Sequence, residues 1–163
     1  MSARFFEYKP EYRKFKFIKE IKLIVNSRTD SSEFNIRIIS ANAAGEPEDN
    51  VADKNIIATA KKGNHLITID LGDMNLKFPE NGFFVAVEWL VIDQNKYKFY
   101  ISGNGEKKKV KETRYGPGFG AFRNEGPSLT WTYYGGNWHH ESFNDMLENN
   151  QYLDLAVELT LTN

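Results

Sequence analysis

The sequence predicts an all-β protein: two antiparallel sheets packed face to face as a jelly-roll-like sandwich of about eight to ten strands. Three observations carry this expectation. Apolar and polar residues alternate at period two in several segments, most cleanly where Leu153, Leu155, Val157, Leu159 and Leu161 face Asp154, Ala156, Glu158 and Thr160. Turn signals rich in Gly, Pro, Asn and Asp punctuate the segments at short intervals, while helical periodicity is almost absent. Aromatic residues make up 14% of the chain and fall largely in strand-like segments, where they pack well on a pleated surface. A closed barrel fits less well, because strand lengths are uneven and two segments carry apparent bulges.

Taken in order, residues 3–8 form a short first strand ended by Pro10. In residues 15–25, Phe15, Phe17, Ile21, Leu23 and Val25 share one parity, with Ile18 and Ile24 on the other. Lys19 interrupts that pattern, which predicts a bulge or register change near Lys19-Glu20. A polar loop over 26–33 leads to residues 34–40, with Phe34, Ile36 and Ile38 inward and Asn35, Arg37 and Ile39 outward. Gly and Pro make 42–48 a turn. A short strand over 56–60 turns through Lys61-Lys62-Gly63-Asn64 into 65–71, where Ile67, Ile69 and Leu71 face in and Leu66, Thr68 and Asp70 face out. One helical turn is expected over 72–76.

The stretch F-P-E-N-G-F-F-V-A-V-E-W-L-V-I over 78–92 holds the longest nearly unbroken apolar run, introduced by a Pro-Gly turn. Apolar residues on both parities predict a central strand paired on both sides. Phe83, Val85, Val87 and Trp89 are assigned to the inter-sheet core, and Phe84, Ala86 and Glu88 to the opposite face. Asp93-Gln94-Asn95-Lys96 reads as a hairpin connection into 97–102, and Gly103-Asn104-Gly105 as a tight turn. Charged residues over 107–113 suit a hairpin tip or an exposed edge, and 115–120 is too rich in Gly and Pro for a regular central strand. Leu129, Trp131 and Tyr133 alternate on a strand, and Tyr134-Gly135-Gly136-Asn137 turns back into Trp138. Residues 139–151 read as a loop, with one helical turn near 144–147.

The chain of 163 residues is expected to form one domain over 1–163. A net charge of -1 and a pI near 6.3 argue against a nucleic-acid binder. No stretch approaches the roughly eighteen apolar residues of a membrane helix, so no transmembrane segment is expected. The first residues lack the pattern of a signal peptide, which implies a cytoplasmic protein or a mature form whose signal has been removed. Absent cysteine excludes a disulfide framework and thiol chemistry.

His139-His140-Glu141 begins like a zinc-protease motif, but Asn144 stands where the second histidine belongs. On a strand, His139 and His140 would also point to opposite faces. Neither a G-x-S-x-G elbow nor a phosphate loop is present. Glu46, Glu48, Asp49, Asn50 and Asp53 supply oxygen ligands that calcium could use, without the EF-hand spacing; a solvated loop is the preferred reading and no cofactor is expected. Lys107, Lys108, Lys109 and Lys111, flanked by Glu106 and Glu112, read as charges guarding an edge.

Two constellations remain as candidate ligand sites. Trp131, Tyr133, Tyr134 and Trp138 surround a Gly-Gly turn, with Tyr115, Phe119 and Phe122 in the preceding loop; exposed rings suit the flat faces of sugars. Core packing is the plainer reading for Trp131, while Tyr134 and Trp138 beside the turn are the exposed candidates. Glu88 is a carboxylate in an apolar strand, costly to bury unless paired. Arg37 is its expected partner, with Asp70 joining them on the same face, as either a structural ion pair or the polar part of a ligand groove.

The segments F-N-I-R-I-I-S-A-N-A-A-G-E-P, N-I-I-A-T-A-K-K-G and F-P-E-N-G-F-F-V-A-V-E-W-L, with Y-G-P-G-F-G and W-T-Y-Y-G-G-N-W after them, carry a resemblance. The chain from about Ile18 onward resembles a jelly-roll-like β-sandwich of Bacteroidota cell-envelope and secreted proteins, often found after a carboxypeptidase-regulatory-like module. The resemblance implies a periplasmic, surface or secreted location and supplies no catalytic residues. The expected function is a non-catalytic binding or accessory module with a glycan or protein partner. A purely structural or protein-interaction domain is the alternative, and a glycan- or ester-active hydrolase using His140, Glu141 or Glu88 comes third.

Overall fold

The computed structural model of the chain describes residues 1–102, 109–140 and 152–163. Strands β1 (Ser2–Phe6), β2 (Phe17–Ser27), β3 (Ser32–Ala41), β4 (Pro47–Asn50), β5 (Ile56–Ala60) and β6 (Gly63–Asp70) occupy the first part of the chain. They are followed by β7 (Phe83–Trp89), β8 (Lys96–Ser102), β9 (Lys109–Tyr115), β10 (Gly118–Phe119) and β11 (Ala121–Asn124). The last four are β12 (Thr130–Tyr134), β13 (Asn137–His140), β14 (Tyr152–Leu155) and β15 (Val157–Thr162). Short 3-10 turns at Pro10–Lys14, Gly72–Met74 and Asp93–Asn95 are the only helical elements among the described residues. The expected turn at Gly103-Asn104-Gly105 and the helical turn near 144–147 lie outside those residues.

The fold is all-β, and its named strand pairs are antiparallel. The larger sheet runs β13-β12-β1-β7-β3-β4, with β5 adding to the other half of the β3 edge. The second sheet is built on β2, flanked by β6 on one side and by β15 and β10 on the other, and β8–β9 and β11–β14 form two-stranded ribbons. Strand β7 is central as expected, paired with β1 and β3. The chain has more strands than its extended segments suggest because bends divide those segments. At Ala156, whose N–H donates to Gly120 O (2.8 Å), the last extended segment passes from β14 on β11 to β15 on β2.

The inter-sheet core is the one that the alternation predicts. Ile18, Ile21, Leu23 and Val25 of β2 meet Phe34, Ile36 and Ile38 of β3 and Phe83, Val85 and Val87 of β7 in a single buried cluster. The expected irregularity also appears: Thr160 lies opposite Glu20 and Leu161 opposite Ile18, so the register skips Lys19 and transfers burial from Ile18 to Ile21. Gly82, just before β7, has φ +81, and a Cβ there would stand 2.6 Å from Phe6 O, so the tight start of the central strand requires glycine.

Four expectations change. Ile39, placed outward, is buried, because the larger sheet curls and Trp131 and Trp138 pack over a second cluster of Ala3, Ile39, Ala41, Phe84 and Ala86. Trp89 sits at the rim rather than inside the core; it is 38% exposed, with its Nε1 donating to Pro117 O (2.7 Å). Phe15 precedes β2 and is exposed. The 93–96 connection is not a β7–β8 hairpin, since β8 pairs with β9. Buried Asn95 holds the chain away from β7, its amide donating to Glu33 O (2.7 Å) and Leu90 O (2.8 Å) and accepting from Glu33 N (2.8 Å).

Candidate functional site

On the second-cluster face of the larger sheet, register sets Asn35 opposite Glu88 and Arg37 opposite Ala86. Glu88 Oε2 accepts from Arg37 Nε at 2.8 Å and from Asn35 Nδ2 at 2.9 Å. Asn35 is itself fixed, its Oδ1 accepting from Ile56 N at 3.0 Å. Burial pushes the Glu88 carboxyl up, but the hydrogen bonds from Arg37 and Asn35 and the Arg37 charge outweigh it and hold the group below its ordinary value. Between a quarter and a third of each side chain still meets solvent, 32% for Arg37 and 27% for Glu88. The expected pairing of Glu88 with Arg37 is thus present, on a face that a ligand can reach.

The aromatic hairpin shares that face. Gly135 (φ 59) and Gly136 (φ 86) form a two-residue turn with both positions left-handed, so Tyr134 pairs with Asn137, Tyr133 with Trp138 and Trp131 with His140. Laterally paired residues point the same way. Tyr133 therefore meets Trp138 edge-on at 5.1 Å, and Trp131 stacks on His140 at 4.8 Å. Trp131 also contacts Phe84 at 6.1 Å, which puts these four side chains on the Phe84-Ala86-Glu88 face. Only β1 separates Tyr133 on β12 from Glu88 on β7, a span of about 10 Å at the usual strand spacing.

Tyr134 does not join them. One position along from Tyr133, it points to the opposite face and stacks on His139 at 3.9 Å. His139 and His140 face opposite ways, as the strand argument requires. Asp70 is also elsewhere: it lies on β6 opposite Glu20 in the second sheet, where its Oδ1 accepts from Gly72 N (2.8 Å). Outward positions on two packed sheets face away from each other, so Asp70 cannot meet Arg37. Of the five candidate residues, the fold brings together Arg37, Glu88 and Trp138 and separates Asp70 and Tyr134.

His140 is three strands from Glu88, about 14 Å at the usual spacing, and its Nε2 lies 2.6 Å from Ser128 O. Glu141, Glu106, Lys107 and Lys108 lie outside the described residues. Among the described residues no group of three or more acidic, His or Cys side chains is disposed to hold a metal. Glu48 and Asp49 are neighbours on extended β4 and project to opposite sides, and Glu46 accepts from Asn42 Nδ2 (3.1 Å). No helix among them is long and apolar enough to cross a membrane.

Two features escape the sequence reading. Asp154, expected outward, is fully buried. Its Oδ1 accepts from Leu129 N (2.8 Å), Ser128 Oγ (3.1 Å) and Thr130 Oγ1 (3.1 Å), and its Oδ2 from Asn124 Nδ2 (2.9 Å). Nothing in a strand of alternating leucines signals this. The other feature is Arg4, whose guanidinium lies 5.1 Å from the Phe6 ring and 4.6 Å from the Phe122 ring and donates through Nη1 to Val157 O (2.6 Å). Burial lowers its pKa, opposed by the charges of Asp154 and Glu158. Arg4 lines a cleft of about 980 Å³.

No protein-family model, curated protein or solved structure matches the chain.

Proposed function

We propose that the protein is a non-catalytic binding module that presents the curled face of its larger sheet to a ligand, with carbohydrate as the ligand class. One observation supports this reading above the others: Tyr133, Trp138 and the Arg37–Glu88 pair share a single sheet face. Rings offer apolar surface to a sugar face, and an ion pair of fixed geometry supplies directed donors and acceptors for hydroxyl groups. Asn35 holds the carboxylate in place, so little ordering is left for binding to impose. The resemblance to envelope and secreted β-sandwiches is compatible with an accessory role of this kind in a larger assembly.

Affinity-gel electrophoresis across polysaccharides, followed by a glycan array, tests the proposal. Retention by at least one glycan is expected, weakened about tenfold or more by Tyr133→Ala and by Glu88→Gln and left unchanged by Tyr134→Ala on the opposite face. Retention by none, or equal losses for Tyr133→Ala and Tyr134→Ala, would overturn it. The structural alternative draws on the packing of Trp131 and Trp138 over the second cluster, which makes these rings a cover for apolar strands. It gains if the face proves indifferent to every glycan.

A further inference from the structure

The geometry points to a second binding site, independent of the ring-bearing face: the cleft beside Arg4 takes a small amphiphile with one carboxylate head and an apolar tail. The cleft, about 980 Å³, is lined on one side by residues 4–7 at the end of β1 and on another by residues 159–161 of β15. That volume is in the range of small-molecule sites. Its walls include Phe6, Tyr12, Phe15, Phe78 and Leu161. The aromatic wall is braced from behind, with Tyr12 against Phe78 at 5.4 Å and Phe78 edge-on to the core residue Phe83 at 4.7 Å, so the apolar surface is preformed. Phe15, 46% exposed and outside any strand, has an exposure that an apolar occupant would relieve.

Arg4 supplies the polar end. A guanidinium carries five N–H donors, and here Nη1 serves Val157 O while Nε is buried and, alone among the described residues' buried side-chain nitrogens and oxygens, has no hydrogen-bond partner. The guanidinium as a whole is half-buried and, apart from Nη1, its donors have no acceptor; a carboxylate is the acceptor whose planar geometry matches such a fork. Exposed Glu7 and Glu11 also line the cleft. With exposed Lys9 also on the wall, the two acids balance the two cations, so the cleft has no excess positive charge for a polyanion, and a single carboxylate on an apolar body is the best match.

Dodecanoate, titrated into the folded protein by calorimetry below its micellar range, is the probe, with dodecanol as the uncharged control. Saturable one-to-one binding is expected, at least tenfold tighter for the acid than for the alcohol. Arg4→Gln should abolish that preference, Phe15→Glu should weaken the acid at least tenfold, and Tyr133→Ala should change nothing, which separates this site from the glycan face. Absence of saturable binding, equal affinity for acid and alcohol, or an unaltered preference in Arg4→Gln would overturn the assignment. Should Arg4→Gln fail to fold by circular dichroism, backbone amide shifts of the wild-type protein decide. Perturbations centred on Arg4, Phe78 and Leu161 support the site, and perturbations centred elsewhere refute it.

Discussion

Replacing Asp154 with alanine should be among the most damaging changes in the molecule, and its cost can be worked from the hydrogen bonds. The carboxylate is shielded from water and accepts four hydrogen bonds, from Leu129 N, Ser128 Oγ, Thr130 Oγ1 and Asn124 Nδ2. The donors do not suffer equally when it is removed. Asn124 Nδ2 still reaches Pro127 O (3.2 Å), whereas Ser128 Oγ and Thr130 Oγ1 keep only the bonds they accept, from Thr130 N (3.1 Å) and Leu155 N (3.0 Å), and their own hydrogens lose their acceptor. Leu129 N has no second partner either. Three donors left without an acceptor, the Leu129 amide and the Ser128 and Thr130 hydroxyls, at about 1–3 kcal/mol each and partly relieved by rotation of the hydroxyls, give roughly 4–6 kcal/mol. Asp154→Asn keeps the Oδ1 acceptor and turns an amide toward Asn124 Nδ2, a donor facing a donor, for about 2 kcal/mol. For a chain of this size those losses correspond to Tm drops of about 10–20 °C and about 4–8 °C. Urea unfolding read by intrinsic fluorescence, paired with thermal melts, measures both. Asp154→Ala within about 1 kcal/mol of wild type would refute the reasoning, and equal losses for the two variants would assign the effect to the charge instead of the hydrogen-bond geometry.

Two further outcomes are expected. Glu88 is held below its ordinary pKa in the folded protein, so its pairing with Arg37 stabilises above the unfolded-state value and is lost as pH falls through the folded-state one. Glu88→Gln should therefore cost about 0.5–1 kcal/mol at neutral pH and nothing once both forms are protonated, which urea midpoints measured from pH 7 down to pH 3 will read. Gly82→Ala meets both a left-handed backbone and a Cβ only 2.6 Å from Phe6 O, whereas Gly135→Ala meets a left-handed backbone with nothing within 4 Å. The first should cost about 3 kcal/mol or more and the second about 1 kcal/mol, compared in one denaturation series.

The period-two pattern makes the inter-sheet core legible, because Phe34-Ile36-Ile38 and Phe83-Val85-Val87 each have a parity that must avoid water. The second apolar layer is not legible in that way. Ile39 and Phe84 share their parity with Arg37 and Glu88, and only the curl of the sheet decides that Trp131 and Trp138 cover part of the row and leave the ion pair at its end. Glu88 with Arg37 could be anticipated, since a carboxylate in an apolar strand demands a partner and Arg37 is on the strand with the best matching alternation. Asp70 failed because alternation says which residues face outward but not on which sheet. Tyr134 parts from Trp138 for a reason that the turn already contained: two left-handed glycines pair Tyr134 with Asn137, so Trp138 must fall opposite Tyr133. Asp154 gave no signal, because its partners come from loop and strand residues some 25–30 positions away whose approach depends on the bend at Ala156.

Strand β2 has no partner near it along the chain. Its neighbours are β6, with Glu20 opposite Asp70, and β15, with Phe17 opposite Thr162. Loops that long resist closure until many contacts can reward it at once, so the β12–β13 hairpin has a local route to form and the second sheet does not. During synthesis, the backbone edge of β2 that β15 covers must wait, unpaired, until Val157 and the residues after it have left the ribosome. The pairing that completes the sandwich thus makes assembly slow, on the millisecond-to-second scale of non-local β topologies, and leaves an apolar strand open to association with other chains in the interval.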